Sequence, residues 1–348
     1  MNVLLVKLSS LGDVLHLLPA LTDLHRRMPG QQVDWLVEPA FAEIPAWHPV
    51  VRHVIPVGLR RLKKTWWGAP SMLLQLRRTL GAQDYTYVVD AQGLVKSAVL
   101  ARLAGVPVFG LDASSARESL ASRFYQRGFA VERHEHAITR NRQLLAQVFD
   151  YSLDDLPLDY GLGAFRRQLR AGQREDLAGF VGEPFIVGLH GTTWDTKHWP
   201  EPYWQQLARL CAQEGLRLLL PWGNAAEQAR AQRIQQVNPG SVMVLPSLDL
   251  HRLAWLLVRA EGFVGVDTGL AHLAAALDVP GVSLYGPTDP VRTGVMGLSQ
   301  HVLAGATPCA PCLKRHCNQP RTAEGLVACQ ASLMPEAAMA ALKQVRVN

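Results

Sequence analysis

Apolar residues along the chain fall into short unbroken runs, separated by stretches in which they recur every third or fourth position. In the first half, the runs Val3–Val6, Val33–Val37, Val54–Val57, Tyr87–Asp90 and Val106–Phe109 predict strands. The periodic stretches Val14–Met28, Pro70–Leu80 and Val95–Leu103 predict helices between them. The second half repeats the alternation, with strands expected at Phe185–His190, Arg217–Pro221, Val242–Leu245, Gly262–Val266 and Val282–Tyr285. Helices are expected there at Pro202–Glu214, Ala225–Gln236, Leu250–Arg259 and Leu270–Leu277. Near-continuous apolar strands alternating with amphipathic helices imply parallel sheets covered on both faces, so the fold class is α/β with two doubly wound domains. A polar, turn-rich stretch at 150–157 opens a boundary region between Asp150 and Gly182, in which Ala164–Phe180 reads as a connecting helix. We divide the chain into domains 1–165 and 166–348, the second closing with a helix near Pro335–Lys343. Ligands of open α/β sheets bind beyond the carboxyl ends of strands, so chemistry is sought in the loops that follow them.

Composition narrows the setting. The 348 residues are 48% hydrophobic, ordinary for a globular chain, and no apolar run approaches the roughly 20 residues of a membrane helix. The start, Met-Asn-Val-Leu-Leu-Val-Lys-Leu, lacks a basic segment ahead of its apolar stretch and reads as a strand rather than a signal peptide, which predicts a cytoplasmic protein. Residues 1–150 hold 18 Lys+Arg against 12 Asp+Glu, whereas the remainder holds 17 of each. The formal excess of +6 therefore belongs to the first half, the expected partner of something anionic.

Three strand-end loops carry candidate chemistry. After the first strand comes Lys7-Leu-Ser-Ser-Leu-Gly-Asp-Val-Leu, in which Ser9, Ser10 and Gly12 form a compact turn at a helix N-terminus. Asp13 there either caps the helix or projects into a ligand site. The run lacks the three glycines of a dinucleotide fingerprint and the Gly-Lys-Ser/Thr of a phosphate loop. The second loop, Gly188-Leu-His-Gly-Thr-Thr-Trp-Asp-Thr-Lys-His-Trp-Pro, offers the hydroxyls of Thr192 and Thr193 and the cation Lys197, a set suited to a diphosphate. The third, Val264-Gly-Val-Asp-Thr-Gly-Leu-Ala-His-Leu-Ala-Ala-Ala-Leu, places Asp267, Thr268 and Gly269 where a helix N-terminus presents free amides to a phosphate. His272, in the first turn of that helix, either faces the same site or packs in the core.

Together with Asp90-Ala-Gln-Gly-Leu-Val-Lys-Ser and Trp35-Leu-Val-Glu, these motifs resemble the lipopolysaccharide heptosyltransferases, in the expected order along nearly the whole chain. Within that family the combination is similar to heptosyltransferase I rather than heptosyltransferase II. The resemblance implies a GT-B fold of two Rossmann-like domains facing a cleft, the first binding acceptor and the second ADP-heptose. It implies transfer from ADP-L-glycero-β-D-manno-heptose to the inner Kdo of Kdo2-lipid A with inversion, by a protein peripheral to the cytoplasmic face of the inner membrane. Asp13 then matches the catalytic base and Lys197 the residue that neutralises the diphosphate. Thr192, Thr193, Thr268 and Gly269 match diphosphate contacts, Asp267 heptose contacts and Glu227 the ribose position. Leu248 falls where the family uses a methionine near the adenine. Neither cofactor nor metal is implied.

Arg60, Arg61, Lys63 and Lys64, followed at once by Trp66 and Trp67, form the densest cationic cluster. Guanidinium forks and indoles suit an acceptor whose sugar carboxylates and phosphates lie above acyl chains, and Arg117 and Arg123 are expected on the same face with Ser10 and Gly12. No nucleic-acid-binding motif accompanies the cluster, so nucleic acid is not an expected partner. Cys309, Cys312, Cys317 and Cys329 are spaced C-x2-C-x4-C-x11-C, open to a structural zinc or to reduced thiols in a Pro-rich loop. Competing functions are a nucleotide-sugar-binding module without turnover, which needs no Asp13, and a nicotinamide enzyme, which the missing glycine fingerprint disfavours.

Overall fold

A computed structural model of the chain describes residues 1–59 and 69–347. It divides into two compact units between Leu162 and Gly163, inside the expected boundary region and just ahead of 165. The first contains β1 (Val3–Val6), β2 (Val33–Val37), β3 (Val51–Pro56), β4 (Tyr87–Asp90), β5 (Val108–Leu111) and β6 (Arg127–Phe129), in the order β3-β2-β1-β4-β5-β6. The second contains β7 (Phe185–Leu189), β8 (Arg217–Leu220), β9 (Val242–Val244), β10 (Gly262–Val266), β11 (Gly281–Tyr285) and β12 (Gln300–Ala304), in the order β12-β11-β10-β7-β8-β9. Each unit, counted from its own first strand, has the same order, and every pairing is parallel. The strand order reverses between the first and fourth strands of each unit, β1 beside β4 and β7 beside β10, where a doubly wound sheet opens a crevice at its carboxyl edge.

The central strands are buried and mostly apolar because helices cover both faces, with Asp34 in β2 and Asp90 at the end of β4 as buried exceptions. In the first unit Leu4, Val6, Leu36, Val88 and Val108 pack with Leu76, Leu80 and Leu100. In the second, Ile186, Leu218, Val264 and Val282 pack with Trp199, Trp204 and Leu342. The indoles of Trp199 and Trp204 meet edge to face at 5.0 Å, and Trp199 Nε1 donates to the carbonyl of Leu333 at 2.8 Å. That bond ties the segment after β7 to the start of the closing helix, which runs Pro335–Val347.

Several boundaries differ from the sequence expectation for identifiable reasons. The single helix expected over Val14–Met28 is two, Leu11–Leu15 and Leu18–Arg27, because Pro19 has no N–H to continue the ladder and instead sits in the first turn of the second helix. Likewise β5 starts at Val108 rather than Val106 because Pro107 cannot donate to the sheet. The connecting helix expected over Ala164–Phe180 is a helix Gly163–Ala171 and a separate 3-10 segment Glu175–Phe180. Gly172 separates them, its carbonyl taken by Trp255 Nε1 and Arg259. Two edge strands, β6 and β12, and the helix Ala137–Phe149 lie outside the sequence expectation.

Candidate active site

In the first unit the crevice between β1 and β4 is lined by two loops that hold each other. Beyond Val6 the chain turns through Lys7–Ser10 into the helix Leu11–Leu15. Asp13, half-buried in that helix, accepts hydrogen bonds at Oδ2 from Ser10 N at 2.6 Å and Ser10 Oγ at 3.1 Å. The capping arrangement is thus realised, and it fixes the carboxylate beside Ser10 with Gly12 buried between them.

The loop after β4 braces this turn from behind. Gln92 Oε1 accepts from two consecutive amides, Leu8 N at 3.0 Å and Ser9 N at 3.3 Å. Lys7 Nζ donates to the carbonyl of Ala91 at 2.6 Å. Asp90, wholly buried, accepts from Gln92 N, Gly93 N, Ser97 Oγ and Tyr125 OH, and so holds the turn that presents Gln92. Gly93 sits at φ +67°, where a side chain would be strained. Burial pushes the Lys7 ammonium below the usual lysine range, with the carboxylates of Asp13 and Asp90 opposing the shift. Burial pushes Asp90 up, against its four donors. Asp90, the last residue of β4, and Gln92 have no role legible in the sequence beyond the Asp-Ala-Gln-Gly run that they form.

Arg117 is exposed and close enough to Lys7 for its charge to contribute to that depression. Arg123 is exposed on the 3-10 segment Ser119–Phe124, and no contact joins it to the Asp13 turn among the described residues. Arg60, Arg61, Lys63, Lys64, Trp66 and Trp67 lie outside the described residues.

The second unit brings its predicted residues together at the corresponding crevice. Lys197 ends the 3-10 turn Asp195–Lys197 after β7, and Asp267 follows β10; Lys197 Nζ lies 2.6 Å from Asp267 Oδ2. Thr192 Oγ1 donates to the Asp267 carbonyl at 3.4 Å, and Thr193 is exposed beside it. Thr268 is the N-cap residue of the helix Gly269–Ala276, so the unpaired amides of that helix start at the ion pair. Glu227 accepts from Gly223 N at 2.7 Å and fills the space where a side chain on Gly191 would stand, 2.7 Å from the Glu227 Cδ. A side chain at Gly191 would displace the Glu227 carboxylate from its present position.

His272, 4% exposed in the first turn of the helix Gly269–Ala276, is buried as a packed residue would be. Leu248 is half-buried in the loop that follows β9. His190, wholly buried at the end of β7, is pushed down to about 4 by burial and then by the Arg230 charge, so it brings no cation to the loop at neutral pH. Among the described residues no three His, Cys, Asp or Glu side chains gather as a metal site, and the five cysteines are unbridged.

A lysine paired with a carboxylate just ahead of a helix N-terminus, with threonine hydroxyls nearby, offers groups that can bind both phosphate and hydroxyls. Comparison with known proteins gives this chemistry a family. The sequence model of glycosyltransferase family 9 (heptosyltransferase) matches residues 73–323. Lipopolysaccharide heptosyltransferase 1 of Pseudomonas aeruginosa is 52% identical over 328 residues, 93% of this chain and 89% of that protein. The solved E. coli heptosyltransferase WaaC with ADP matches with a TM-score of 0.84 at 41% identity, over 99% of this chain and all of that one. The same enzyme with ADP-2-deoxy-2-fluoro heptose matches at 0.81, over 99% of each.

Proposed function

The chain belongs to glycosyltransferase family 9, the heptosyltransferases, and we propose that it adds heptose to the inner Kdo of Kdo2-lipid A, using ADP-L-glycero-β-D-manno-heptose as donor. It is a glycosyltransferase that transfers heptose in lipopolysaccharide core synthesis. The observation that carries the donor assignment is the corner where Lys197, Asp267 and Thr192 meet the start of the helix Gly269–Ala276.

In this reading the second unit binds the donor. The helix amides, Thr192, Thr193, Thr268 and Gly269 take the diphosphate, Glu227 accepts from the ribose hydroxyls, and Asp267 accepts from the heptose. Lys197 leaves Asp267 to follow the negative charge that gathers on the departing ADP, so its contribution is greatest in the transition state. Leu248 lies toward the adenine, and His272 supports the helix start from within.

The first unit then serves the acceptor. Asp13 keeps Oδ2 in its cap and presents Oδ1 to the Kdo hydroxyl, removing the proton as the oxygen attacks the anomeric carbon in one displacement with inversion. Ser10, Gly12, Arg117 and Arg123, with the basic stretch at 60–64, take the anionic groups of the acceptor. Trp66 and Trp67 suit a protein working at the inner-membrane surface. Among the described residues no helix is long and apolar enough to cross a membrane.

The test is ADP release by the purified protein. ADP is expected only when ADP-heptose and a Kdo2-lipid A analogue are both present. Preference for an acceptor already bearing one heptose, or donor binding without ADP release on any acceptor, would overturn the proposal.

A further inference from the structure

The cysteine-bearing segment after β12 has no part in the transfer as described, yet it is docked on the donor loop. Thr196, 2% exposed, donates from Oγ1 to the Lys314 carbonyl at 2.8 Å, and its own carbonyl accepts from Gln330 Nε2 at 3.0 Å. Leu313 N donates to the Pro287 carbonyl at 2.8 Å. The backbone of 313 and 314 is thereby pinned beside the turn that carries Lys197. Arg315, the next residue, lies with Cζ 5.2 Å from the centroid of the Trp194 indole. Lys197 Nζ lies 4.5 Å from the centroid of the same ring. Two cations from segments far apart in sequence thus share one indole at the edge of the donor corner.

Charge accounting says what the second cation is for. Lys197 and Asp267 form an ion pair whose net charge is zero. A nucleotide-sugar diphosphate brings two negative charges, and the departing nucleoside diphosphate gains another as the sugar leaves. The start of the helix Gly269–Ala276 offers about half a positive charge, which leaves a deficit. Arg315 is exposed and forms no ion pair with a carboxylate among the described residues. Its guanidinium is a planar fork that matches phosphate oxygens, on a platform that limits its motion.

We propose that Arg315 is a ligand of the donor diphosphate, brought to it by the docked turn 309–317 and held in reach by Trp194. The inference rests on the donor assignment made above. A guanidinium that merely covers the indole would affect stability and leave anion affinity unchanged; an Arg315 serving the acceptor's phosphates would affect the acceptor alone.

Calorimetric titration of ADP into the full-length protein, without acceptor, separates these cases. Arg315→Gln is expected to weaken ADP about tenfold, the loss of one charge-assisted phosphate contact. Arg315→Lys should restore part of the loss, and Lys314→Gln, the same charge change one residue away, should stay within about twofold. ADP binding should also weaken less steeply with salt in Arg315→Gln than in the wild type. The proposal is overturned if Arg315→Gln binds ADP like the wild type, if Lys314→Gln loses as much, or if Arg315→Gln raises only the acceptor KM. A wild-type protein that fails to bind ADP would remove the donor assignment itself, an outcome readily told from the others.

Discussion

The two units place polar side chains at the same topological point and arrange them differently there. At the β1/β4 crevice the ionisable groups stand behind the loop: Lys7 and Asp90 are buried, and Gln92 holds two backbone amides of the turn that bears Asp13. At the β7/β10 crevice the half-buried Lys197 is bonded directly to the buried Asp267, with Thr192 half-buried and Thr193 exposed beside them. A base has to be held in one orientation toward a single proton, which calls for rigid backing. A leaving-group site has to gain interaction as charge develops, which calls for a cation able to change partner. Under the proposed roles, the first unit's buried polar network fixes the position of Asp13, and the second holds Lys197 where it can change partner.

The largest effect that would break this contrast is at Asp13. Asp13→Asn retains the size and an acceptor for the Ser10 cap but removes proton acceptance, so kcat should fall at least about a hundredfold while ADP affinity and Tm change little. Near-normal turnover would leave Asp13 a helix cap only. Next, Lys197→Ala should lower kcat about ten- to a hundredfold and also raise the donor KM, as loss of a charged contact strengthened in the transition state requires. A rise in KM alone would make Lys197 a uniform-binding residue.

Gln92 sharpens the comparison. Gln92→Leu leaves the amides of Leu8 and Ser9 without their buried acceptor, so kcat should drop about tenfold, consistent with about 1–3 kcal/mol for unpaired buried donors. ADP binding, assigned to the other unit, should not move, and Gln92→Glu, which keeps the acceptor oxygens, should recover part of the rate. Equal losses of turnover and ADP affinity would show that the brace does not act on the Asp13 turn alone. The smallest effect is expected from charge reversal at Arg60 and Arg61: the acceptor KM should rise severalfold with ADP affinity unchanged, and the wild-type acceptor KM should itself rise with salt.

What could be read from the sequence was governed by how local each signal is. The central strands were legible because burial on both faces makes them predominantly apolar, whereas β6, with two of its three residues exposed, and β12, half-buried at its sheet edge, carry no such run. The helix Ala137–Phe149 escaped for a different reason. Its N-cap is His136, whose ring Nδ1 accepts from Ile138 N at 3.1 Å, in place of the Ser, Thr, Asp or Asn that announces a helix start. The clustering of Thr192, Lys197 and Asp267 followed from loops of unusual composition after β7 and β10, and Asp13 from the run between β1 and the first helix.

The sequence by itself determined the alternation of strand and helix, the two-unit α/β class and which strand-end loops are rich in polar and charged residues. Only the tertiary structure decided which loops meet. Gln92 reaches amides more than 80 positions away, and Thr192 reaches the carbonyl of Asp267 across 75 positions. Neither neighbour carries a residue pattern that names the other. The physical reason is the parallel crossover: each strand returns to the same edge of the sheet through a covering helix, so the carboxyl ends of the first and fourth strands become neighbours whatever the length of chain between them.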